Sequence, residues 1–207
     1  MGILLKEYFQ LAPNKEMLVE LRGLHEKGEP LIVKGVIQRA ESKNQNGRIY
    51  PKEILQKECQ RYQKEYVDKG ISLGELDHTD EPVIALKNVS HRITEMWWDE
   101  DDVMGKVELL DTPAGKIAQE IILKGIPLGI SSRAIGSVTQ NEAKSADVVG
   151  DDLQLICFDL VGTPSTDGAF LGMQEGLEIK NFNPRKVLPP ELRIKQVLSE
   201  ILKREIK

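Results

Sequence analysis

The sequence predicts an α+β protein, a mixed and mainly antiparallel β barrel or sandwich with inserted helices. Three observations indicate this class. Several apolar stretches have the length and composition of strands, and two segments carry apolar residues at helical spacing. These segments follow neither a strict βαβ alternation nor an even all-β rhythm. The 207 residues suit one domain with tails and are enough for a sizeable core.

The composition excludes several classes of protein. Hydrophobic residues make up 40% of the chain and the formal net charge is −5, which is typical of a globular protein rather than a disordered or coiled-coil one. No concentrated basic stripe is present, so we expect no nucleic-acid partner. The apolar runs fall far short of the roughly 20 residues that a bilayer needs, and Met1–Leu5 does not begin a signal peptide. We therefore expect a soluble, intracellular protein without a membrane partner.

The first half of the chain predicts a helix, a strand and a turn. Residues 1–30 are interpreted as an N-terminal extension. One short helical face within it consists of Met17, Leu18, Leu21 and Leu24. Leu31–Ala40 has the composition of a strand, and Ser42–Gly47 has that of a turn, so we expect the chain to reverse direction there.

A second helix is predicted between Pro51 and Gly70. Proline is favoured at the start of a helix and glycine just past its end. The apolar face at helical spacing consists of Ile54, Leu55, Cys59, Tyr62 and Tyr66. A short apolar piece, Ile71–Leu76, then leads to His78.

The middle of the chain predicts a β-hairpin and a third helix. Val89–Trp98 and Val103–Leu110 have strand composition and are joined by the acidic turn Asp99–Asp102. Asp111 or Thr112 is able to cap the helix that follows. Its apolar face consists of Ala114, Ile117, Ala118, Ile121 and Ile122.

The last clear strands are Leu128–Val138 and Leu153–Val161, separated by the polar loop Thr139–Asp152. Glycines and prolines become frequent beyond this point. Residues 31–170 are therefore predicted to form the core, and residues 171–207 a C-terminal tail that is able to dock on the core or on a partner. The apolar positions of an amphipathic stretch in this tail are Ile194, Val197, Leu198, Ile201 and Leu202.

A candidate nucleophile lies on the strand Leu128–Val138. Alternation along a strand places Ser131 and Arg133 on one face and Ser132 on the other, the core face. A serine among small residues, with an arginine two positions on, is suited to act as a nucleophile beside an oxyanion stabiliser. The alternative is an ordinary solvated strand face. Alternation favours Ser131 over Ser132 for the catalytic role.

A candidate base and a candidate carboxylate lie elsewhere in the chain. His78, one of three histidines, follows a short apolar piece, and imidazole is the usual base for activating a hydroxyl. The alternative is a plain loop histidine. Asp159 interrupts the apolar run Leu153–Leu160, and a buried carboxylate needs a cation or a donor beside it. It would orient the histidine of a Ser/His/Asp set, pair with Arg133 or Arg92, or face solvent on an edge strand.

Other residues have weaker interpretations. His91 lies mid-strand and is interpreted as a structural histidine. A metal site is a rival use of the nitrogen- and oxygen-rich segment that contains Asp77, His78, Asp80 and Glu81, and it would make the protein a metal-dependent hydrolase. The spacing of these residues matches no established metal-binding pattern, and glycine-rich phosphate loops are absent from the sequence. We therefore expect no metal and no cofactor.

Five short motifs occur together in one order. They are N-G-R-I-Y-P (Asn46–Pro51), G-E-L-D-H (Gly74–His78), E-M-W-W (Glu95–Trp98), G-I-S-S-R (Gly129–Arg133) and D-L-V-G-T-P-S (Asp159–Ser165). This set resembles the prohead core proteases of tailed bacteriophages, which are capsid-maturation serine proteases with a fold similar to that of herpesvirus assemblins. The resemblance covers roughly residues 35–170. It implies an assemblin-like, mainly antiparallel β-barrel with inserted helices.

The resemblance also implies roles for individual residues. The histidine of G-E-L-D-H is the general base, which is His78, and the first serine of G-I-S-S-R is the nucleophile, which is Ser131. The matching position for the third member is Asp159, where assemblins use a second histidine. Arg133 and Ser132 would support the site or the oxyanion, together with backbone N–H groups.

The implied function is that of a serine endopeptidase in prohead maturation. Such an enzyme cleaves scaffold or core proteins, capsid precursors and itself inside the immature procapsid, in the host cytoplasm. Cleavage follows a glutamate that has an apolar residue two positions earlier, and Met173–Gly176 fits this pattern loosely. Glu175 is therefore the expected self-cleavage site. The alternative is a non-catalytic core or scaffold assembly protein of the same fold. In either case the chain is able to form a homo-oligomer.

Overall fold

The computed structural model describes residues 2–11, 13–79 and 81–162. The described part contains ten strands and three α-helices. In chain order these are β1 (Ile3–Leu11), α1 (Lys15–Glu26), β2 (Leu31–Arg39), β3 (Arg48–Ile49), α2 (Lys52–Tyr62), β4 (Leu73–Glu75), β5 (Val89–Asp99), β6 (Asp102–Leu109), α3 (Pro113–Leu123), β7 (Leu128–Gly136), β8 (Val138–Asn141), β9 (Ala146–Val149) and β10 (Gln154–Gly162). The predicted C-terminal tail and Glu175 lie outside the described residues.

The strands form three sheets, with orders β1-β7-β10, β2-β6-β5-β4 and β3-β9-β8. All pairs are antiparallel except β3 with β9, so the predicted mixed α+β class is confirmed. Of the barrel or sandwich that the sequence predicts, no closed barrel is found in the part of the chain that the structure describes. Among the described residues, no ladder joins β1 to β2, and the first two sheets meet at one parallel bridge between Leu76 and Leu160. Pairing stops there because the next residue, Asp77, has a left-handed backbone (φ 66°) that turns the chain away.

The three predicted helices form for the reasons that their sequences indicate. The Asn14 side chain accepts a hydrogen bond from the Met17 N–H at the start of α1, and Thr112 does the same for α3. Helix α2 begins directly after Pro51 and continues as a π-helical turn over Gln63–Val67. No helix in the described residues is long and apolar enough to cross a membrane.

Strand β1 has no counterpart among the predicted elements. It pairs along its whole length with β7, from Ile3 opposite Gly136 to Leu11 opposite Leu128. The sequence places residues 3–11 in an extension, whereas in the structure they form an edge strand of the β1-β7-β10 sheet. The reason is that β1 is buried with polar side chains on both faces, because Lys6 is 6% exposed and Glu7 is 1% exposed. A buried polar pair hides the alternation that normally identifies a strand.

The N-G-R-I-Y-P motif encloses one of these side chains. Glu7 accepts hydrogen bonds from Tyr50 Oη (3.0 Å), Arg48 Nη1 (3.3 Å) and Asn46 Nδ2 (2.9 Å), and Asn46 also donates to the carbonyl of Lys6. Burial raises the pKa of Glu7 to about 7, although the charge of Arg48 and the hydrogen bonds oppose this shift. The motif therefore attaches β1 to the chain between β2 and α2.

His91 links strand β5 to strand β10, as its structural interpretation requires. Its Nε2–H donates to the carbonyl of Phe158 (2.9 Å), and the Ser90 hydroxyl donates to Nδ1 (2.8 Å). Burial lowers the pKa of His91 to about 4, despite the opposing charge of Asp159, so the ring is neutral at pH 7. A side chain at Gly74 would collide with the Phe158 carbonyl and with this ring, so only glycine fits there.

Glu7 and His91 are expected to act in opposite directions on the pH dependence of folding. The folded pKa of Glu7 is raised, so its contribution to the free energy of unfolding is full below pH 4.5 and is lost as the pH rises towards 7. The folded pKa of His91 is lowered, so its contribution to the free energy of unfolding is full above pH 6.5 and is lost as the pH falls towards 4. Between pH 4.5 and 6.5 the two effects, each about 3 kcal/mol, should largely cancel.

The Glu7→Gln variant should show the pH dependence of the free energy of unfolding that Glu7 cancels in the wild type. Its free energy of unfolding, measured by urea denaturation, is expected to rise with pH across this window by about 3 kcal/mol more than that of the wild type. The His91→Gln variant should show the opposite slope. Parallel curves for the wild type and Glu7→Gln would contradict the predicted protonation of the buried Glu7.

Candidate active site

Three segments bring the candidate catalytic residues to one face of the β1-β7-β10 sheet. Ser131 lies on the central strand β7, and Asp159 lies directly opposite it on β10. His78 follows β4, where the Asp77 N–H donates to the Leu160 carbonyl (2.8 Å) and the left-handed backbone of Asp77 turns the next residue towards the sheet. The fold thus collects residues that are far apart in the sequence.

The side chains of these three residues form a continuous chain of hydrogen bonds. His78 Nε2 lies 2.8 Å from Ser131 Oγ, and His78 Nδ1 lies 3.1 Å from Asp159 Oδ2. Since an ionised carboxylate only accepts, Nδ1 carries the proton, and Nε2 is left to accept from the serine hydroxyl. The His78 side chain is 4% exposed, so it is shielded from water. This geometry allows the histidine to take the serine proton while the carboxylate fixes its orientation.

Asp159 is held as an anion by several donors. Its Oδ1 accepts from the Glu75 N–H (3.0 Å) and from Arg133 Nη2 (3.2 Å), and the Cys157 thiol donates to it (3.3 Å). Burial alone would raise the pKa of Asp159. The hydrogen bond from His78, the charge of Arg133 and the Glu75 N–H outweigh burial, so the pKa lies below its usual value. The carboxylate is therefore ionised at neutral pH.

Arg133 joins the three segments of the site. Its guanidinium is fully buried and donates to Glu75 Oε2 (2.6 Å), Thr79 Oγ1 (2.7 Å) and the carbonyl of Glu81 (2.6 Å), while Nε lies 3.0 Å from Asp159 Oδ2. Sequence reasoning gave Arg133 either an oxyanion role or a supporting role. These contacts favour the supporting role, because the donors already have acceptors among the residues that carry His78 and Asp159.

Ser132 faces the opposite side of the sheet from Ser131. Its Oγ accepts a hydrogen bond from Gln38 Nε2 (2.8 Å), and the side chain is 1% exposed. The alternation along the strand is as expected, but the alternative of a solvated strand face is wrong. Every residue of β7 is buried because β1 and β10 flank the strand and other elements cover both faces of the sheet.

Sequence reasoning did not single out Glu75. Its carboxylate is fully buried, accepts from Arg133 through Oε2, and accepts from the Ala85 N–H through Oε1 (2.6 Å). The available signal was a charged residue inside the short apolar piece that precedes His78. Glu75 also anchors the loop that contains His78 and ends near Ala85. In this loop Ile84 packs against a small apolar cluster formed by Leu4, Ile135, Ile156 and Cys157.

The other expected arrangements near the site are not seen among the described residues. Arg92 pairs with Glu108 rather than with Asp159. Asp80 lies outside the described residues, and within the described part no group of three His, Cys, Asp or Glu side chains is placed to hold a metal ion. Both ring nitrogens of His78 lie within hydrogen-bonding distance of other side chains, Ser131 and Asp159.

Comparisons with known proteins agree with the motif resemblance. Residues 12–181 match a family model described as "Prohead core protein serine protease". The prohead core protein protease of Enterobacteria phage T4 is 33% identical over 149 residues, which are 70% of this chain and 69% of the T4 protein. The solved structure of the bacteriophage T4 capsid assembly protease matches with a TM-score of 0.67 and 26% identity, over 79% of this chain and 99% of that chain.

Proposed function

Because the chain belongs to the prohead core protein serine protease family, we propose that it hydrolyses peptide bonds with Ser131 as nucleophile, His78 as general base and Asp159 as the carboxylate that orients the base. Membership makes the protein a phage capsid-maturation protease. The observation that carries the residue assignment is the His78 ring, which bridges Ser131 Oγ and Asp159 Oδ2 through its two nitrogens.

The reaction proceeds in two halves. Ser131 Oγ attacks the carbonyl carbon of the scissile bond, and its proton passes to His78 Nε2 as the O–C bond forms. The C–N bond then breaks, His78 returns the proton to the leaving amine, and an acyl-enzyme remains. Water attacks the acyl carbon, gives a proton to His78 and releases the acid as Ser131 recovers its proton. Asp159 stays ionised throughout and stabilises the imidazolium in each half.

The substrates that we propose are the scaffold or core proteins and the capsid precursors of the phage, and the protease itself. The names of the T4 relatives, a prohead core protease and a capsid assembly protease, support this class of substrate. The site of action is then the immature procapsid in the host cytoplasm. Cleavage after glutamate, with Glu175 as the self-cleavage site, extends the motif resemblance and would release residues 176–207.

Labelling with diisopropyl fluorophosphate tests the assignment without a known substrate. An activated serine displaces fluoride from this reagent and forms an O–P bond, while His78 takes the serine proton. We expect one adduct, mapped by peptide mass spectrometry to Ser131, in the wild type and none in Ser131→Ala. A folded wild-type protein that neither reacts nor cleaves itself would contradict the proposal and favour a non-catalytic assembly role.

A further inference from the structure

A chain of three buried charges, Asp159, Arg133 and Glu75, lies next to His78. Asp159 accepts from its Nδ1, Arg133 contacts Asp159, and Glu75 contacts Arg133. The side chains of these three partners are each 0% exposed, so water screens them weakly. The sign of the whole cluster therefore determines how well His78 tolerates a positive charge.

Arg133 on its own would weaken the catalytic role of Asp159. Its Nε lies 3.0 Å from Asp159 Oδ2, the same oxygen that accepts from His78. A guanidinium so close cancels the charge of the carboxylate, and a neutral pair gives little stabilisation to the imidazolium that forms when His78 takes the serine proton. Asp159 therefore needs a further negative charge behind the arginine.

Glu75 supplies that charge. Its Oε2 lies 2.6 Å from Arg133 Nη2, so the cluster of two carboxylates and one guanidinium carries one net negative charge. On the basis of the proposed function, we propose that Glu75 is a positioning residue of the protease, which restores through Arg133 the negative charge opposite His78 and fixes the loop that carries it. The same carboxylate accepts from Thr79 Oγ1 (3.2 Å) and from the Ala85 N–H (2.6 Å), on either side of Glu81.

Four of the other titratable groups around the cluster are neutral at pH 7 and leave this charge unchanged. Burial raises the pKa of the Cys157 thiol on β10 and that of the Tyr62 phenol on α2 well above their usual values, so both stay neutral. Burial lowers the pKa of His91 on β5 to about 4, and this ring is neutral as well. On β1, burial raises the pKa of Tyr8, which is therefore neutral, and Lys6 lies beside Arg133 in register. Lys6 is common to all the variants compared below.

The test uses the pH dependence of labelling by diisopropyl fluorophosphate in the full chain. Glu75→Gln removes one charge with little change of shape. Glu58→Gln is the matched control. Like Glu75, Glu58 is a buried glutamate that pairs with an arginine, in this case Arg61 (2.6 Å), and it accepts a hydrogen bond from the backbone N–H of Leu155 on β10. The control therefore loses a partly buried glutamate–arginine ion pair outside the cluster, in which the Arg61 side chain is 30% exposed.

We expect Glu75→Gln to lower the labelling rate at neutral pH by about 10–100-fold, the range seen when the outer partners that orient metal-bound histidines are lost. The acid limb of its pH profile should move to lower pH than that of the wild type, because a neutral cluster disfavours the imidazolium. Glu58→Gln should keep the limb of the wild type. A merely structural role would lower the rates of both variants without moving either limb.

Two further variants keep the inference testable if Glu75→Gln folds poorly, which circular dichroism would show. Arg133→Met leaves two negative charges and should move the limb to higher pH. The double variant of Glu75→Gln with Arg133→Met retains the single charge of Asp159, so its limb should return to the wild-type position. A limb that stays in place in Glu75→Gln, or a double variant whose limb lies below that of the wild type, would overturn the inference. Failure of the proposed function would look different, since the wild type itself would then not be labelled at Ser131.

Discussion

Replacing Ser131 with alanine is expected to lower the rate of peptide hydrolysis by about 10⁴–10⁶-fold, because removing the nucleophile removes the acyl-enzyme route as a whole. The folded state should change little, since the variant loses only one hydroxyl that contacts His78. The measurement is intact mass over time for concentrated protein at neutral pH. Fragments ending in glutamate are expected from the wild type and not from Ser131→Ala.

The neighbouring serine is the matched control for this experiment. Ser132→Ala removes the same group one position along the strand, where it accepts only from Gln38 on the opposite face. It leaves a buried amide N–H without its acceptor and should cost about 1–3 kcal/mol of stability while turnover remains measurable. An inactive Ser132→Ala beside an active Ser131→Ala would mean that the catalytic serine is the other one.

Replacing Asp159 with asparagine is expected to lower the rate by about 10⁴-fold, as the equivalent change does in other Ser/His/Asp sites. An asparagine amide facing His78 favours the wrong tautomer of the imidazole, and it cannot stabilise the positive charge that develops there. The rate of labelling by diisopropyl fluorophosphate measures the loss without a peptide substrate. The effect combines lost orientation with lost charge.

Asp152→Asn provides the control for this second prediction. Asp152 lies just before β10 and accepts from the N–H and the hydroxyl of Ser137 (2.8 Å each), so the same chemical change occurs next to the same strand but away from His78. The labelling rate of this variant should stay close to that of the wild type. Equal losses in Asp152→Asn and Asp159→Asn would indicate a general effect on β10 instead of a catalytic one.

The sequence predicted the parts of the site that depend on local pattern. Alternation along β7 separates Ser131 from Ser132, and the break in an apolar run draws attention to Asp159. Both inferences need only the period of a strand. The positions of His78 and its neighbours depended on the motif resemblance, because no local pattern reveals which distant loop reaches a strand. The structure places the three side chains within hydrogen-bonding distance of one another, and their catalytic roles stay a prediction.

The remaining features depend on tertiary contacts that a single sequence does not display. Strand β1 was overlooked because Lys6 and Glu7 interrupt its apolar pattern, and both are buried against partners that come from later in the chain. Glu75 was overlooked because a lone acidic residue in a short strand has no distinguishing pattern before Arg133 is placed beside it. Whether the sheets form a barrel or a sandwich depends on which strand edges meet, and the bridge between Leu76 and Leu160, next to the left-handed Asp77, joins segments that are far apart in the sequence.

The order of strands in the first sheet has a consequence for synthesis on the ribosome. Strand β7 lies between β1, near the start of the chain, and β10, which carries Asp159 and ends at Gly162. A nascent chain that has exposed His78 and Ser131 still lacks the carboxylate and one neighbour of the nucleophile strand. Pairings between such distant segments also form slowly. On the proposed assignment, the catalytic set is therefore complete only once β10 has paired with β7, and a chain that ends before residue 159 lacks the carboxylate that orients His78.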